Sequence, residues 1–239
     1  MRRHRGSRPG VQKLEIPLKK GDMPSLFEIV THMIWPVSCP VCGAVAELLC
    51  EPCLRSLLKP QLPRCLWCGE PAPCKVHKDT ARIHAASVYE GSMKDVILAL
   101  KHGGYKAIGP KLGKALAGFF TRTDIDLLVP VPLHLKSKRR YNQAESIATG
   151  LGRAWDIEVR SAARWKTDVP PRAGLGAAER MSLHSDVFAF DDDISGLRVA
   201  FVDDVCTTGS TLAAVAKAAR SCGSEAVCAF VAAHVPPIR

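Results

Sequence analysis

The chain has 239 residues, 47% of them hydrophobic, with a formal net charge of +10. That length suits one full-sized α/β domain plus a small module, and that apolar content excludes gross disorder. No apolar run approaches the ~20 residues of a membrane span, and the arginine-rich start lacks the apolar stretch of a secretory signal, so a cytoplasmic chain without a membrane span is expected.

Residues 1–20 hold Arg2, Arg3, Arg5, Arg8, Lys13, Lys19 and Lys20 against Glu15 alone, more than half of the charge excess. With almost no aromatic or periodic apolar content, residues 1–22 read as a disordered basic tail. It is a nucleic-acid arm, a solvated tail, or a start-site artefact ahead of Met23. Leu26–Trp35 is a short apolar helix stopped by Pro36. Residues 39–77 are rich in cysteine and turns, and with the helix they make a module over 23–80.

From residue 81 to 239 the pattern alternates. Ile83–Tyr89 reads as a strand, Met93–His102 and Lys111–Phe120 as helices, and Leu127–Val129 as a buried strand. Gln143–Trp155 is helical, and a short strand follows near Ile157–Arg160. Val199–Val202 is a continuous apolar strand of the kind a parallel sheet buries on both faces. Thr211–Cys222 is a helix with Leu212, Val215, Ala216 and Ala219 on one face, and Val227–Val231 is the last strand. The fold class is therefore α/β, a doubly wound and mostly parallel sheet. Between Trp165 and Ser185 a long stretch has no period, which in a compact domain marks a functional loop.

Seven of the ten cysteines fall between Cys39 and Cys74. Cytoplasmic thiols stay reduced, so clustered pairs argue for metal rather than disulfides. Cys39-x-x-Cys42 with Cys50-x-x-Cys53 supplies one tetrahedral Zn²⁺ set, and Cys65-x-x-Cys68 with Cys74-x-x-His77 offers a second, so one or two zinc ions are expected. Closed four-ligand sites of this kind are structural. A module this small has too little core to fold without them. The remaining thiols, Cys206, Cys222 and Cys228, read as small filler and buried structural residues.

The segment after the apolar strand is the most informative. A strand ending at Asp203 and a helix starting near Ser210 put a short turn at the carboxyl edge of the sheet, where open α/β sheets bind ligands. The amides of Thr207, Thr208, Gly209 and Ser210, with the hydroxyls of Thr207, Thr208 and Thr211, suit a 5′-phosphate at a helix N-terminus. Asp203 and Asp204 are acceptors suited to neighbouring ribose hydroxyls. The run Asp203-Asp204-Val205-Cys206-Thr207-Thr208-Gly209-Ser210-Thr211 closely resembles the phosphoribosyl-diphosphate (PRPP) motif of type I phosphoribosyltransferases.

Over roughly residues 26–235 the chain resembles the ComF family of competence-associated, phosphoribosyltransferase-like proteins. The resemblance rests on the cysteine module, Tyr89-Glu-Gly-Ser-Met-Lys-Asp, Lys101-His-Gly-Gly, Val129-Pro-Val-Pro with Tyr141-Asn-Gln-Ala-Glu145, and the PRPP motif. It implies a PRPP-binding protein that transfers the phosphoribosyl group with release of pyrophosphate, with Asp203 and Asp204 at its catalytic centre. Pro130 and Pro132 end their strand at the same sheet edge. Val131, Pro132, Leu133, His134, Lys136, Arg139 and Arg140 then look like the pyrophosphate loop, with Mg²⁺ sharing the diphosphate charge. Residues 164–183 occupy the place of the mobile loop, with Arg164, Arg172 and Arg180 as candidate contacts. Val169, Arg172 and Leu183 depart from the family's Thr, Gln and Asn, a loss that bears on catalysis more than on PRPP binding. Two other readings keep most of these features: a non-catalytic accessory protein binding single-stranded DNA or a competence-protein partner, and a PRPP-sensing regulator.

Overall fold

Val199–Val202 lies at the centre of the longest buried ladder. A computed structural model describes residues 37–77, 81–102, 105–122, 124–166 and 187–236. The basic tail, the helix expected over Leu26–Trp35, Arg172 and Arg180 lie outside the described residues. In chain order the elements are α1 (Glu51–Leu57), β1 (Arg64–Cys65), β2 (Arg82–Ala85), α2 (Gly91–Lys101), α3 (Ile108–Phe119), β3 (Leu127–Pro130) and α4 (Gln143–Trp155). There follow β4 (Glu158–Val159), β5 (Ala163–Trp165), β6 (Phe188–Phe190), β7 (Arg198–Cys206), α5 (Ser210–Ser221) and β8 (Glu225–His234).

The main sheet has the order β1-β2-β8-β7-β3-β4. Only β1–β2 is antiparallel; β2–β8, β8–β7, β7–β3 and β3–β4 are parallel. Strands β5 and β6 form a separate antiparallel ribbon. Helices cover both faces, so the doubly wound, mostly parallel α/β sheet expected from the alternation is present. One core joins α2, α3 and α4 to Leu128, Ala200, Val202 and Phe230. The other joins α5 to Ile83, Leu127, Val129, Phe201 and Val231. Alternate residues of β3 and β7 thus feed opposite cores, as the two-residue period of a strand requires.

Two differences from the sequence reading shape the site. Strand β7 does not stop at Asp203: it runs to Cys206, because β8 extends alongside it and pairs Val205 with Ala233 and Cys206 with His234. The two acids are therefore strand residues, and the turn shrinks to Thr207–Gly209. Helix α1 and the short strands β1, β5 and β6 are additional; α1 is only seven residues and two of its positions are a cysteine and a proline. Among the described residues, no helix is long and apolar enough to cross a membrane.

Candidate ligand pocket and metal centres

The carboxyl edge of the parallel strands carries a pocket of about 330 Å³. It is lined by Asp203, Asp204, Val205, Thr207 and Thr211 from β7–α5 and by Val131, Pro132, Leu133, His134 and Arg139 after β3. Two segments far apart in sequence meet here because β3 and β7 are parallel neighbours, with Pro130 opposite Val202.

Asp204 is nine-tenths buried, with a side-chain exposure of 10%, and Lys101 Nζ stands 3.3 Å from its Oδ2. That pair is not aligned as a hydrogen bond, and Oδ2 has no hydrogen-bond donor among the described residues. Asp203 Oδ1 accepts the Asp204 amide at 2.8 Å. Burial and the neighbouring Asp204 charge push the Asp203 carboxyl up to about 8, against the pull of that amide, Lys101 and Arg139. An Asp203 carboxyl raised by burial and by the Asp204 charge is poised to meet a ligand bringing hydroxyl donors or positive charge.

Beside the acids, the turn enters α5. Gly209 caps the helix with φ 80° and no side-chain cap bond. A Cβ there would meet Ile83 Cδ1 at 3.2 Å, so this glycine serves the turn and its packing against the core. Thr208 is occupied locally: its hydroxyl donates to Ser210 Oγ at 3.0 Å and accepts the Ser210 amide at 3.4 Å. No backbone acceptor among the described residues takes the amides of Thr207 and Thr208. Cys206 is buried, and burial pushes its thiol up to about 12. It is an inert filler.

The loop after β3 is braced by residues whose role was not legible beforehand. Asn142 Nδ2 donates to the Val131 carbonyl at 2.9 Å while its Oδ1 caps α4 through the Ala144 amide at 3.0 Å. Gln143 is buried; it donates to the Tyr141 carbonyl and accepts Arg139 Nη1 at 3.1 Å. Tyr141 donates its hydroxyl to the Leu100 carbonyl, tying this loop to the end of α2. Trp165 Nε1 donates to the Pro132 carbonyl at 3.1 Å. Lys101, which lies over the Tyr89 ring as well as against Asp204, is the charged pocket side chain that sequence reasoning left without a role. Its place in the quoted Lys101-His-Gly-Gly run was the available signal.

The other expected positions fall elsewhere. Arg140 lines a second cavity of about 630 Å³ with Lys101, His102, Lys138 and Arg139. Lys136 is exposed, its amide donating to His134 Nδ1 at 3.3 Å. Arg164 on β5 pairs with Asp191 at 2.6 Å and does not line the pocket.

The cysteines gather as the spacing requires. Cys39, Cys42, Cys50 and Cys53 form one group and Cys65, Cys68, Cys74 and His77 the other, with the donor atoms of each within 4.8 Å of one another. Sulfurs on a tetrahedral zinc, bonded at about 2.3 Å, stand roughly 3.8 Å apart. Cys42–Cys50 at 3.6 Å, Cys68–Cys74 at 3.5 Å and Cys65 Sγ to His77 Nδ1 at 3.7 Å match that geometry. Each group also contains a thiol prepared to ionise. Cys39 falls to about 6 because amides of Cys50, Cys42 and Val41 outweigh its burial. Cys74 falls to about 6, led by the His77 amide, which donates to its sulfur at 3.4 Å. Both groups fit a zinc ion.

No family model matches the chain. It is 34% identical over 108 residues to competence protein F of Haemophilus influenzae, covering 43% of this chain and 47% of that protein, about half of its length. It is 29% identical over 192 residues to DNA utilization protein YhgH of Salmonella typhimurium, covering 75% and 76% of the two chains. Among solved structures, the allosteric regulatory enzyme of purine biosynthesis aligns with a TM-score of 0.36 and 20% identity, over 53% of this chain and 26% of that one.

Proposed function

For a chain similar to competence protein F and YhgH, we propose that the pocket binds PRPP, or another ribose 5-phosphate ligand, and that it supports phosphoribosyl transfer. The observation that carries this reading is the buried Asp204 carboxylate, whose Oδ2 has no hydrogen-bond donor, beside the open amides of Thr207 and Thr208. An acceptor pair and an amide nest a few residues apart match vicinal hydroxyls and a phosphate on one sugar. Val131–His134 and Arg139 then face the diphosphate, and Lys101 neutralises charge between it and Asp204.

Transfer would form a bond from the acceptor nucleophile to the anomeric carbon as the carbon–oxygen bond to diphosphate breaks. The diphosphate leaves with the electron pair, and the nucleophile's proton passes to solvent or to an ionised aspartate. Such chemistry depends on positioning and charge neutralisation rather than on a covalent nucleophile. Mg²⁺, arriving with the ligand, would share the diphosphate charge; Asp204 Oδ2, ion-paired with Lys101 but without a hydrogen-bond donor, is suited to a cation or to a hydroxyl.

Calorimetric titration of PRPP with Mg²⁺ tests the reading. Asp204→Asn keeps the size, removes the charge and turns half of the acceptor into a donor. Losing a charge-assisted hydrogen bond costs about 1.5–3 kcal/mol, roughly ten- to hundredfold in affinity. Wild type that binds neither PRPP nor ribose 5-phosphate would overturn it.

A second reading rests on the second cavity, where Lys101, His102, Lys138, Arg139 and Arg140 adjoin the pocket, and on relatives whose names concern competence and DNA utilisation. In it the chain is a non-catalytic accessory that binds single-stranded DNA or a competence partner. Titration of the same preparation with single-stranded DNA at several salt concentrations separates the two, because phosphate contacts release counterions.

A further inference from the structure

The two cysteine knuckles are alike in backbone and unlike in surroundings. Gly43 follows Cys42 with φ 73°, and Gly69 follows Cys68 with φ 72°. Each glycine amide closes its knuckle on the carbonyl of the first cysteine, Cys39 or Cys65, at 2.8 Å. A Cβ on Gly43 would meet nothing within 4 Å, whereas a Cβ on Gly69 would stand 2.8 Å from the carbonyl oxygen of Thr208. The backbone of the second knuckle therefore lies directly against the Thr207–Gly209 turn.

The contact is held from both ends. Arg64 Nη1 donates to the Gly69 carbonyl at 2.7 Å, and Arg64 itself is fixed in the sheet opposite Ile83. Leu66 is buried in the same core as Ile83, Cys206 and Leu212. Ile83 in turn packs at Gly209. The turn is thus bounded by Gly69 at Thr208 and by Ile83 at Gly209. The knuckle that supplies Gly69 takes its shape from Cys65 and Cys68, half of the second ligand set.

We propose that the Cys65–Gly69 knuckle is a positioning wall of the phosphate loop, so that a metal held by Cys65, Cys68, Cys74 and His77 sets that loop's affinity for a phosphate ester. This rests on the phosphate-loop reading above. Gly69 acts through the Thr208 backbone and touches no ligand. Stripping the second metal, by chelation or thiol oxidation, loosens the wall and weakens binding; stripping the first does not.

The twin glycines provide the experiment. Gly43→Ala and Gly69→Ala force the same left-handed strain on the same knuckle position, and only Gly69→Ala meets Thr208. In the full chain, three quantities are measured: zinc content, ribose 5-phosphate affinity by calorimetry, and amide hydrogen exchange of the segment spanning 204–211. Gly69→Ala is expected to keep its zinc, to bind about tenfold more weakly, since an amide displaced by a few tenths of an ångström leaves good hydrogen-bond geometry, and to exchange faster over 207–210. Gly43→Ala is expected to match wild type in affinity and exchange. Should Gly69→Ala fail to fold, Cys74→Ser against Cys42→Ser asks the same question of the metals. Equal exchange and affinity in the members of either pair would overturn the proposal. If wild type binds no ribose 5-phosphate, the phosphate-loop reading fails, and the exchange difference alone decides whether knuckle and turn are coupled.

Discussion

Cys39–Cys53 and Cys65–His77 are two versions of one device set into opposite faces of one sheet. The first set is built into the core of α2, α3 and α4: Cys39 and Cys50 are buried with Leu49, Leu54, Leu57 and Leu58 against Met93 and Val96. The second set is anchored by Leu66 in the core of α5 and abuts the Thr207–Gly209 turn. Similar spacing and ligand chemistry thus serve different ends. One knits a short helix onto the domain, while the other stands against the turn between β7 and α5. Ligand count and geometry describe a metal site, but its neighbours decide what depends on it.

The comparison breaks most visibly if the first metal is removed. Cys50→Ser should lower zinc content by one ion per chain and depress the thermal midpoint strongly. Structural zinc contributes on the order of 10–16 kcal/mol in small peptides, and part of that is lost here. Elemental analysis and calorimetry check it. Ribose 5-phosphate affinity should survive under conditions where the variant stays folded.

Next come two leucines that are nearly alike in burial, Leu54 at 3% exposure and Leu66 at 1%. Replacing either with Ala should cost about 2–5 kcal/mol in denaturant unfolding. Only Leu66→Ala should also weaken the ligand. Equal effects on affinity would erase the distinction between the two faces.

The pocket's acids sharpen the same contrast through pH. The Asp203 carboxyl is raised in the folded chain, so the folded state holds a proton that the unfolded state gives up from about pH 4 upward. Stability from this group is full below that pH and is lost as pH rises through about 8. Asp203→Asn should flatten the pH dependence of the unfolding midpoint over that window, and Cys50→Ser should leave its shape unchanged. Ligand binding at pH 7 should release protons, seen as a buffer-dependent calorimetric enthalpy.

The smallest effect concerns Arg220, whose guanidinium lies 4.2 Å from the centre of the Trp67 ring. Arg220→Met should cost about 0.5–1 kcal/mol through the lost cation–π contact, measured by denaturant titration. Zinc content should be untouched.

Much of this was legible in the sequence, and the exceptions have physical causes. Helix α4 begins and ends where the pattern puts it, because Asn142 caps one end and Asp156, in left-handed conformation, stops the other. Asp204 looked like a turn residue after a strand ending at Asp203, yet β7 carries both acids because β8 continues alongside and supplies hydrogen bonds that local propensity does not report. Helix α1 escaped notice because cysteine and proline interrupt its short period. The metal sets were readable because each ligand pair is local. Lys101 was not assigned a role because its pairing with Asp204 depends on where α2 ends relative to a distant strand. Local chemistry was visible; chemistry assembled across the sheet was not.

Residues 59–66 run along β2. Lys59 and Gln61 donate to the Ala86 and Ala85 carbonyls at 2.8 and 3.0 Å, Leu66 donates to Ala81 at 3.2 Å, and Arg64 and Cys65 pair with Ile83 and Arg82. Among the described residues, this segment covers the β2 rim of the sheet, and candidate zinc ligands stand at both of its ends, Cys53 before it and Cys65 within it. An open rim of unpaired amides and carbonyls is a template for strands of other molecules. Zinc-stripped chains should therefore self-associate rim to rim, with light scattering rising before the far-ultraviolet signal is lost, and metal availability would govern the shelf life of the protein as much as its folding.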